Sequence, residues 1–190
     1  MTARVDGYLK IGKTAVSVVK GNITEEKVEV IVNSTTSNLK FDHGGPSSKA
    51  IYKAAGNQIQ KECSFKYRKA IKLGDVAITG PGYLDCSYIF HVWIPSWKNS
   101  NDDKNIEATV IACLNEAERL KQDSIAFPAL GTGGLNYDPK TVAQTLFNAV
   151  DIFNKQNPET IIRLVICVVF HDDMYKKFVT EARNRTRERG

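Results

Sequence analysis

The second half of the chain alternates short apolar runs with longer stretches of helical periodicity, and this alternation strongly constrains its fold. The run at residues 124–127 is followed by a helical pattern at 139–153, and the near-continuous apolar run at 161–170 is followed by a final helix. Strands that alternate with helices form parallel β-α-β units, whose helices cover the faces of the sheet. We therefore expect a three-layer α/β/α sandwich around a mixed, largely parallel central sheet.

The first half of the chain fits the same architecture. Two β-prone runs flank Gly12 and Lys13, which predicts a hairpin, and a third run is rich in β-branched residues, as a buried strand is. The strands expected in this half are residues 8–11, 14–20, 28–32, 76–79 and 88–94. Helical spacing and start signals predict helices at 49–56 and 106–120.

The 190 residues contain no internal repeat, low-complexity block or interior linker, so we expect one domain over residues 1–190 with its core at about 14–178. The 42% hydrophobic and 25% charged content is ordinary for a soluble globular protein, and no signal peptide or membrane-length apolar stretch is present. The four cysteines form no C-x-x-C pair and only three histidines accompany them. We therefore expect reduced cysteines, no metal site and an intracellular location.

The net charge of +5 and the pI near 9.0 suit an anionic partner, although they are too mild to require nucleic acid. Much of the excess is local, in Arg183, Arg185, Arg187 and Arg189. A basic tail of this kind, here residues 181–190, is more often a solvated helix end or a linker than a specific binding patch. Because the chain ends abruptly after this tail, we interpret it as a fragment of a larger multidomain protein.

One predicted loop has the composition of an anion-binding loop. Gly131, Thr132, Gly133 and Gly134 lie between the strand at 124–127 and the helix at 139–153. Glycines let the backbone approach a ligand closely, and the N-terminus of the helix that follows is expected to offer free N–H groups and a partial positive charge. Phosphate is the ligand best matched to this loop, although a Gly-rich turn with a purely structural role has the same composition.

Other segments near the ends of strands complete a composite cleft, since ligands of parallel sheets bind at the carboxyl ends of strands. Residues 33–45 carry short polar side chains and two glycines that suit sugar hydroxyls. The alternative is an ordinary connecting loop that binds nothing. Phe170 ends the last strand, where an aromatic ring can stack on a base or belong to the core. The Asn22 side chain can accept from an exocyclic amine, or serve a tight turn.

The three histidines differ in their setting. His91 lies within an apolar strand, which is typical of a hydrogen-bonded core histidine rather than of a base. His43 and His171 lie in loops and are better candidates for chemistry. The same two alternatives considered for Phe170, a core residue or a ligand contact, apply to Trp93, Trp97 and Tyr137.

Taken in order, these segments resemble a macrodomain, the ADP-ribose-binding module. Residues 19–24 are similar to the family's G-D-I-T element, and residues 30–33 resemble its strand that ends in V-N-A-A-N. Residues 44–56 resemble the G-G-G-V…A-I…A-A-G stretch, and residues 127–138 resemble the P-A-x-x-T-G loop. The resemblance runs in register over about residues 14–178 and is strongest to macrodomains carried in tandem by large ADP-ribosyltransferases.

The resemblance implies a cleft in which adenine lies between Asn22 and Phe170, the glycine loop wraps the pyrophosphate, and the loop after Asn33 meets the distal ribose. The residues expected to bind ADP-ribose are Asn22, Ile23, Asn33, Gly44, Gly45, Pro46, Ser47, Leu130, Gly131, Thr132, Gly133, Gly134, Leu135, Asn136, Tyr137 and Phe170. No metal or cofactor is implied besides this ligand, which can be free or attached to mono- or poly-ADP-ribosylated proteins. We expect no membrane partner, a monomer as an isolated domain, and a nuclear or cytoplasmic location. The parent protein is expected to be a glycosyltransferase of NAD metabolism.

The chain departs from the family pattern at several positions. Asn22 replaces the usual Asp, keeping an acceptor but losing a charge, and Thr36 replaces the second Asn of V-N-A-A-N. Pro46 removes one backbone donor beside the two glycines. Leu135 aligns with the aromatic that covers the distal ribose in many relatives, and Tyr137 is nearby.

Three functional hypotheses follow from the resemblance and these departures. Hydrolytic macrodomains are thought to orient a water with the Asn that Thr36 replaces, with a nearby Asp or with substrate phosphate, so we expect a reader without efficient hydrolysis and assign no catalytic residue. The alternative is a mono-ADP-ribosyl-protein hydrolase that uses Asp42 or His43 together with the bound pyrophosphate. A third hypothesis is a drifted module for protein or nucleic-acid interaction, which Asn22, Pro46 and the basic tail support.

Overall fold

The computed structural model describes residues 7–189, and this range contains seven strands and five α-helices, which alternate from the fifth strand onward. The strands are β1 Gly7–Ile11, β2 Thr14–Lys20, β3 Val30–Ser34, β4 Ala77–Thr79, β5 Tyr88–Val92, β6 Ser124–Pro128 and β7 Leu164–Val169. The helices are α1 Pro46–Ala55, α2 Gln58–Lys66, α3 Asp103–Arg119, α4 Pro139–Gln156 and α5 Asp172–Arg189. Two short 3-10 helices, Ile23–Glu25 and Phe41–His43, lie in the loops around β3.

All seven strands belong to one sheet, in the order β1-β2-β7-β6-β3-β5-β4. The five central strands, β2, β7, β6, β3 and β5, are parallel to one another. The edge strands β1 and β4 are antiparallel to their neighbours. The predicted hairpin is confirmed, with Gly12 at φ +57° in the turn between β1 and β2. The prediction of a mixed, largely parallel sheet is therefore confirmed.

The strand residues alternate between two apolar cores, one on each face of the sheet. In β3, Val30 and Val32 belong to the core covered by α3, α4 and α5, while Ile31 belongs to the core covered by α1 and α2. The same alternation runs along β6 and β7. Burial of each of these side chains contributes about 1.5–3 kcal/mol. Two apolar faces covered by helices make the three-layer sandwich that the sequence predicts.

Several element bounds differ from the predicted ones. Helix α2 is absent from the predicted elements, and β7 begins at Leu164 rather than at residue 161. Ile162 is nevertheless fully buried, while the neighbouring Ile161 N–H donates to the Glu118 carboxylate instead of to a strand. An apolar run therefore extends beyond the part that pairs in the sheet.

The arginine-rich end of the chain is the last part of α5. Arg185 is half-buried and donates to Glu181 at 2.7 Å, to the Gln144 carbonyl at 3.1 Å and to Asn148 at 2.7 Å. Its guanidinium also lies 5.5 Å from the centre of the Phe147 ring. This arginine fastens α5 to α4 rather than facing a partner. In the described range no helix is long and apolar enough to cross a membrane.

Candidate functional site

The carboxyl ends of the parallel strands open into a cavity of about 800 Å³. Its wall is made by the segments that follow β2, β3, β6 and β7, together with the N-terminus of α1 and the first turn of α5. Volumes of about 300–1,000 Å³ are usual for sites that bind small molecules. The cavity therefore lies where a largely parallel sheet is expected to hold a ligand.

All but three of the residues predicted to bind a ligand line this cavity. They come from the segment after β2, the N-terminus of α1, the glycine loop after β6 and the end of β7. They are Asn22, Ile23, Gly44, Gly45, Pro46, Ser47, Leu130, Gly131, Thr132, Gly133, Gly134, Leu135 and Phe170.

Asn33, Asn136 and Tyr137 are not brought to the cavity wall. Asn33 is fully buried in β3, where its Nδ2 donates to His91 Nδ1 of the neighbouring β5 at 3.0 Å, while its Oδ1 is buried without a partner among the described residues. Asn136 is exposed at φ +62°, in the turn that closes the glycine loop. Tyr137 is 2% exposed, and its hydroxyl donates to the Pro95 carbonyl and accepts from Asn105, both at 2.9 Å. Tyr137 is thus a core residue beneath the loop.

The glycine loop is held in shape from below by Tyr137. The Tyr137 N–H donates to the Gly131 carbonyl at 3.0 Å, and a Cβ at Gly131 would come within 2.7 Å of the Tyr137 ring. Gly131 also has φ +74°, so both its backbone conformation and its packing require glycine. A Cβ at Gly133 or Gly134, by contrast, would meet nothing within 4 Å. Those two glycines therefore leave open space beside the cavity.

The loop offers several backbone donors to that space. Among the described residues, the N–H groups of Gly131, Gly133, Gly134 and Leu135 donate to no protein acceptor, whereas that of Thr132 donates to the Ala129 carbonyl at 3.3 Å. Gly131 is buried and Leu135 half-buried, so their N–H groups cost free energy unless water or a ligand accepts from them, while Gly133 and Gly134 are exposed and present theirs to solvent. These four donors make the loop suited to an oxyanion with several oxygens.

The expectation that the helix after this loop directs its N-terminus at the ligand is wrong. The Asp138 carboxylate accepts from the Thr141 N–H at 2.9 Å and caps α4, and no residue of α4 lines the cavity. This backbone donor lowers the pKa of Asp138. Two other helices meet the cavity, α1 at its N-terminus and α5 in its first turn. In α1 the N-cap Gly45 has no side chain to satisfy the N–H groups of Ser47 and Ser48. The uncapped start of α1 therefore brings the partial positive charge of a helix N-terminus to the cavity.

The loop between β3 and α1 is anchored by one buried aromatic residue. Phe41 is fully buried and stacks on His91, with ring centres 4.3 Å apart. Its N–H donates to Gln60 at 3.0 Å, and its carbonyl accepts from the Ser48 hydroxyl at 3.3 Å. Gly44, which follows, lies so close to Ser48 that a Cβ would come within 2.5 Å of that side chain. The backbone of the loop is thereby fixed against the start of α1.

His91 belongs to a buried polar chain that crosses three strands. Asn33 Nδ2 donates to His91 Nδ1 at 3.0 Å, and His91 Nε2 lies 2.9 Å from the Thr79 hydroxyl, which donates to the Gly80 carbonyl. With Nδ1 accepting and Nε2 donating, the imidazole is neutral. Burial lowers its pKa from 6.5 to about 3. His91 is thus the core histidine that the sequence favours.

Two hydroxyl groups in the cavity wall lack partners. Among the described side chains, Thr35 Oγ1 and Ser47 Oγ are buried without a hydrogen bond, and both residues line the cavity. Unpartnered buried hydroxyls cost about 1–3 kcal/mol each when nothing satisfies them. Both therefore gain from a ligand that carries hydroxyl groups at the β3 end of the cleft.

The other end of the cleft is aromatic. Phe170 is 69% exposed, although it follows an apolar strand, and its ring meets that of His171 edge-on at 5.3 Å. Asn22 is its neighbour across the sheet, because the Gly21 N–H donates to the Val169 carbonyl at 3.1 Å. The Asn22 side chain accepts from the Thr24 N–H at 3.1 Å, which is the turn role considered for it. An exposed ring beside an amide is suited to an aromatic base.

The cavity wall carries little charge. Its residues within the described chain include no Asp, Glu, Lys or Arg, and its ionisable side chains are those of His43 and His171. Asp42 lies outside the wall, with its carboxylate 3.7 Å from His43 Nε2. An anion in this cleft is therefore held by backbone dipoles rather than by ionised side chains.

Some wall residues are absent from the list of residues expected to bind ADP-ribose. Ser34, Thr35 and Ser37 belong to the loop of residues 33–45 that was considered for sugar hydroxyls, and Trp93, weighed as core residue or ligand contact, follows β5, the neighbour of β3 in the sheet. Their position after the carboxyl end of a parallel strand is the sequence feature that indicates a ligand contact. Met174, whose sulfur lies 3.3 Å from the Thr132 hydroxyl, comes from α5 and carried no such signal.

Comparison with known proteins identifies relatives along most of the chain. A family profile described as "Macro domain" matches residues 32–146. Human protein mono-ADP-ribosyltransferase PARP14 is 32% identical over 93% of this chain, which spans 9% of that protein's length. A macro domain-containing protein of Listeria monocytogenes is 32% identical over 86% of this chain and 94% of its own length.

The fold is also that of solved structures. The Oceanobacillus iheyensis macrodomain with ADP superposes with a TM-score of 0.86 at 25% identity, covering 95% of this chain and 96% of that one. A mutant of the same macrodomain, solved with ADPR, gives a TM-score of 0.86 at 24% identity, with 95% and 98% covered.

Proposed function

Because this chain belongs to the macrodomain family, we propose that its cleft binds ADP-ribose and that the domain recognises ADP-ribosylated proteins without efficient hydrolysis. One observation carries the proposal: three chemically different walls follow one another across the sheet. The order β7-β6-β3 places the exposed Phe170, the free N–H groups of the glycine loop and the unpartnered hydroxyls near α1 in sequence along one cavity.

The spacing of these walls suits the chemistry of ADP-ribose. Neighbouring strands lie about 4.8 Å apart, so the loops after β7 and β3 are about 10 Å apart. Adenine stacks on Phe170, the pyrophosphate accepts from the glycine loop, and the distal ribose meets Thr35 and Ser47. An aromatic base, an oxyanion and a polyol each meet groups of complementary character. The relative solved with ADPR supports this choice of ligand.

The absence of a carboxylate supports binding without efficient hydrolysis. A general base must lie within hydrogen-bond reach of the water that it activates. No Asp or Glu is among the cavity-lining residues of the described chain. Thr36, which lines the cavity, donates from its hydroxyl to Asn38 at 2.7 Å, so this hydroxyl is engaged within its own turn.

Capture of a mono-ADP-ribosylated protein tests the proposal. Immobilised domain is expected to retain a substrate protein that carries radiolabelled ADP-ribose, free ADP-ribose is expected to compete, and the label is expected to stay on the protein for hours. Failure to retain the modified protein above its unmodified form would contradict binding. Rapid release of the label would contradict the absence of hydrolysis.

A mono-ADP-ribosyl-protein hydrolase is the second candidate, because His43 lies in the cavity wall at the β3 end, where the proposed pose puts the distal ribose. Asp42 is positioned 3.7 Å from this ring and can orient it. In that case the label is released at enzyme-like rates, and both Asp42→Ala and His43→Ala slow the release. Equal release by both variants and the unaltered domain would exclude these two side chains.

A further inference from the structure

A second, smaller cavity of about 300 Å³ adjoins the β3 end of the main cleft. It is lined by the turn after β3 and by the segment that follows α2. We propose that this basic groove binds acidic residues of the polypeptide that carries the ADP-ribose, so that the domain reads the sequence around the modification as well as the modification itself. The inference rests on the proposed function of the main cleft.

The first argument is position. The turn of residues 36–40 forms a wall between the two cavities, with Thr36 and Ser37 in the main cleft and Asn38, Leu39 and Lys40 in the groove. The distal ribose, which carries the link to the modified protein, lies at this end when the base stacks on Phe170. A polypeptide that leaves this ribose therefore passes the groove within a few residues, since each extended residue spans about 3.3 Å.

The second argument is charge. The groove carries the exposed side chains of Lys40, Arg68 and Lys69, and none of them forms an ion pair with a carboxylate in the described chain. The carboxylates nearest in sequence face other groups. Asp42 lies 3.7 Å from His43 Nε2, Glu62 pairs with Lys66 and accepts from the Gly80 N–H, and Asp75 accepts from the Lys72 N–H. Three uncompensated cations around one cavity favour an anionic partner.

The third argument is rigidity of the frame that holds these cations. The Leu39 carbonyl accepts from Gln60 Nε2 at 2.9 Å, and the Ile71 N–H donates to the Ser37 carbonyl at 2.8 Å. The turn and the segment after α2 are thus tied to each other and to α2. The cations themselves are on long exposed side chains, whose charged groups can reach carboxylates at varied positions along a polypeptide.

Titration of modified peptides tests the inference. One peptide carries a single ADP-ribose flanked on both sides by glutamates, and a second has glutamines at the same positions. The unaltered domain is expected to bind the glutamate peptide roughly tenfold more tightly, since three exposed ion pairs contribute modestly each. The triple variant K40Q/R68Q/K69Q is expected to lose this difference and to bind free ADP-ribose as before.

Matched controls separate the possible outcomes. The variant K104Q/K121Q/R183Q loses the same charge on exposed residues of the opposite helical layer and is expected to keep the preference. Equal binding of both peptides, or a preference that survives K40Q/R68Q/K69Q, would overturn the inference. The inference would also be overturned if K40Q/R68Q/K69Q lost affinity only for an ADP-ribose dimer. The groove would then bind a second ADP-ribose unit. Failure of free ADP-ribose to bind the unaltered domain would instead overturn the proposed function.

Discussion

Gly133→Glu is the substitution that most clearly tests whether a pyrophosphate lies on the glycine loop. Gly133 is exposed, has no positive φ, and a Cβ there would meet nothing within 4 Å, so a longer side chain fits without disturbing the fold. We take a separation of about 6 Å between the glutamate carboxylate and a phosphate charge bound on the loop as the basis of the estimate. At effective dielectric constants between about 80 and 20, each phosphate charge is then repelled by about 0.7–2.8 kcal/mol.

The expected result is a loss of at least roughly tenfold in affinity for ADP-ribose, measured by calorimetry, with an unchanged melting temperature. Gly133→Gln is the matched control, because it has nearly the same shape and no charge, and we expect it to lose much less. Salt near 1 M shortens the screening length to about 3 Å and is expected to bring the two variants together. Equal losses for Glu and Gln at low salt would show that the effect is steric and would refute a pyrophosphate at this loop.

The other predictions concern the aromatic wall, the loop geometry and the buried histidine. Phe170→Ala is expected to weaken ADP-ribose binding by about 1–3 kcal/mol without a change in melting temperature, because this ring is 69% exposed, and Phe170→Tyr is expected to keep the affinity. Gly131→Ala is expected to destabilise the fold by about 1–3 kcal/mol in urea unfolding, because of φ +74° and the close Tyr137 ring, and Gly133→Ala is expected to change it little. The pKa of His91 falls from 6.5 in the unfolded chain to about 3 in the fold, so below pH 6.5 the unfolded state binds more protons and stability decreases as the pH falls. From pH 7.5 to pH 5 this costs about 2 kcal/mol, and His91→Gln, compared over the same pH range, is expected to lack that part of the dependence.

The secondary structure followed from periodicity wherever an element was long or strongly apolar. Helices α3 and α4 have continuous apolar stripes, and the β-branched run before Asn33 marked the central strand. Helix α2 has only Ile59 and Cys63 buried in its nine residues, and it follows Gly56. Two buried positions carry little periodic signal, and for this reason the helix was not predicted.

The site was less completely predictable because part of it depends on contacts between distant residues. Asn33 pairs with His91, which is 58 positions away, and this pairing turns a predicted ligand contact into a core residue. The assignment of α4 to the anion site could have been corrected from the sequence, since Asp138 directly before Pro139 is a helix cap signal. Gly45 directly before Pro46 marks the start of α1 in the same way, but the sequence does not show that this uncapped start lies at the cavity.

Calorimetric titration of the unaltered domain with free ADP-ribose tests the central claim most directly. We predict saturable binding of one ADP-ribose per chain. AMP and ribose 5-phosphate, which fill only parts of the cleft, are expected to bind more weakly. Absence of detectable binding at millimolar ADP-ribose, with a domain that unfolds cooperatively, would contradict the account.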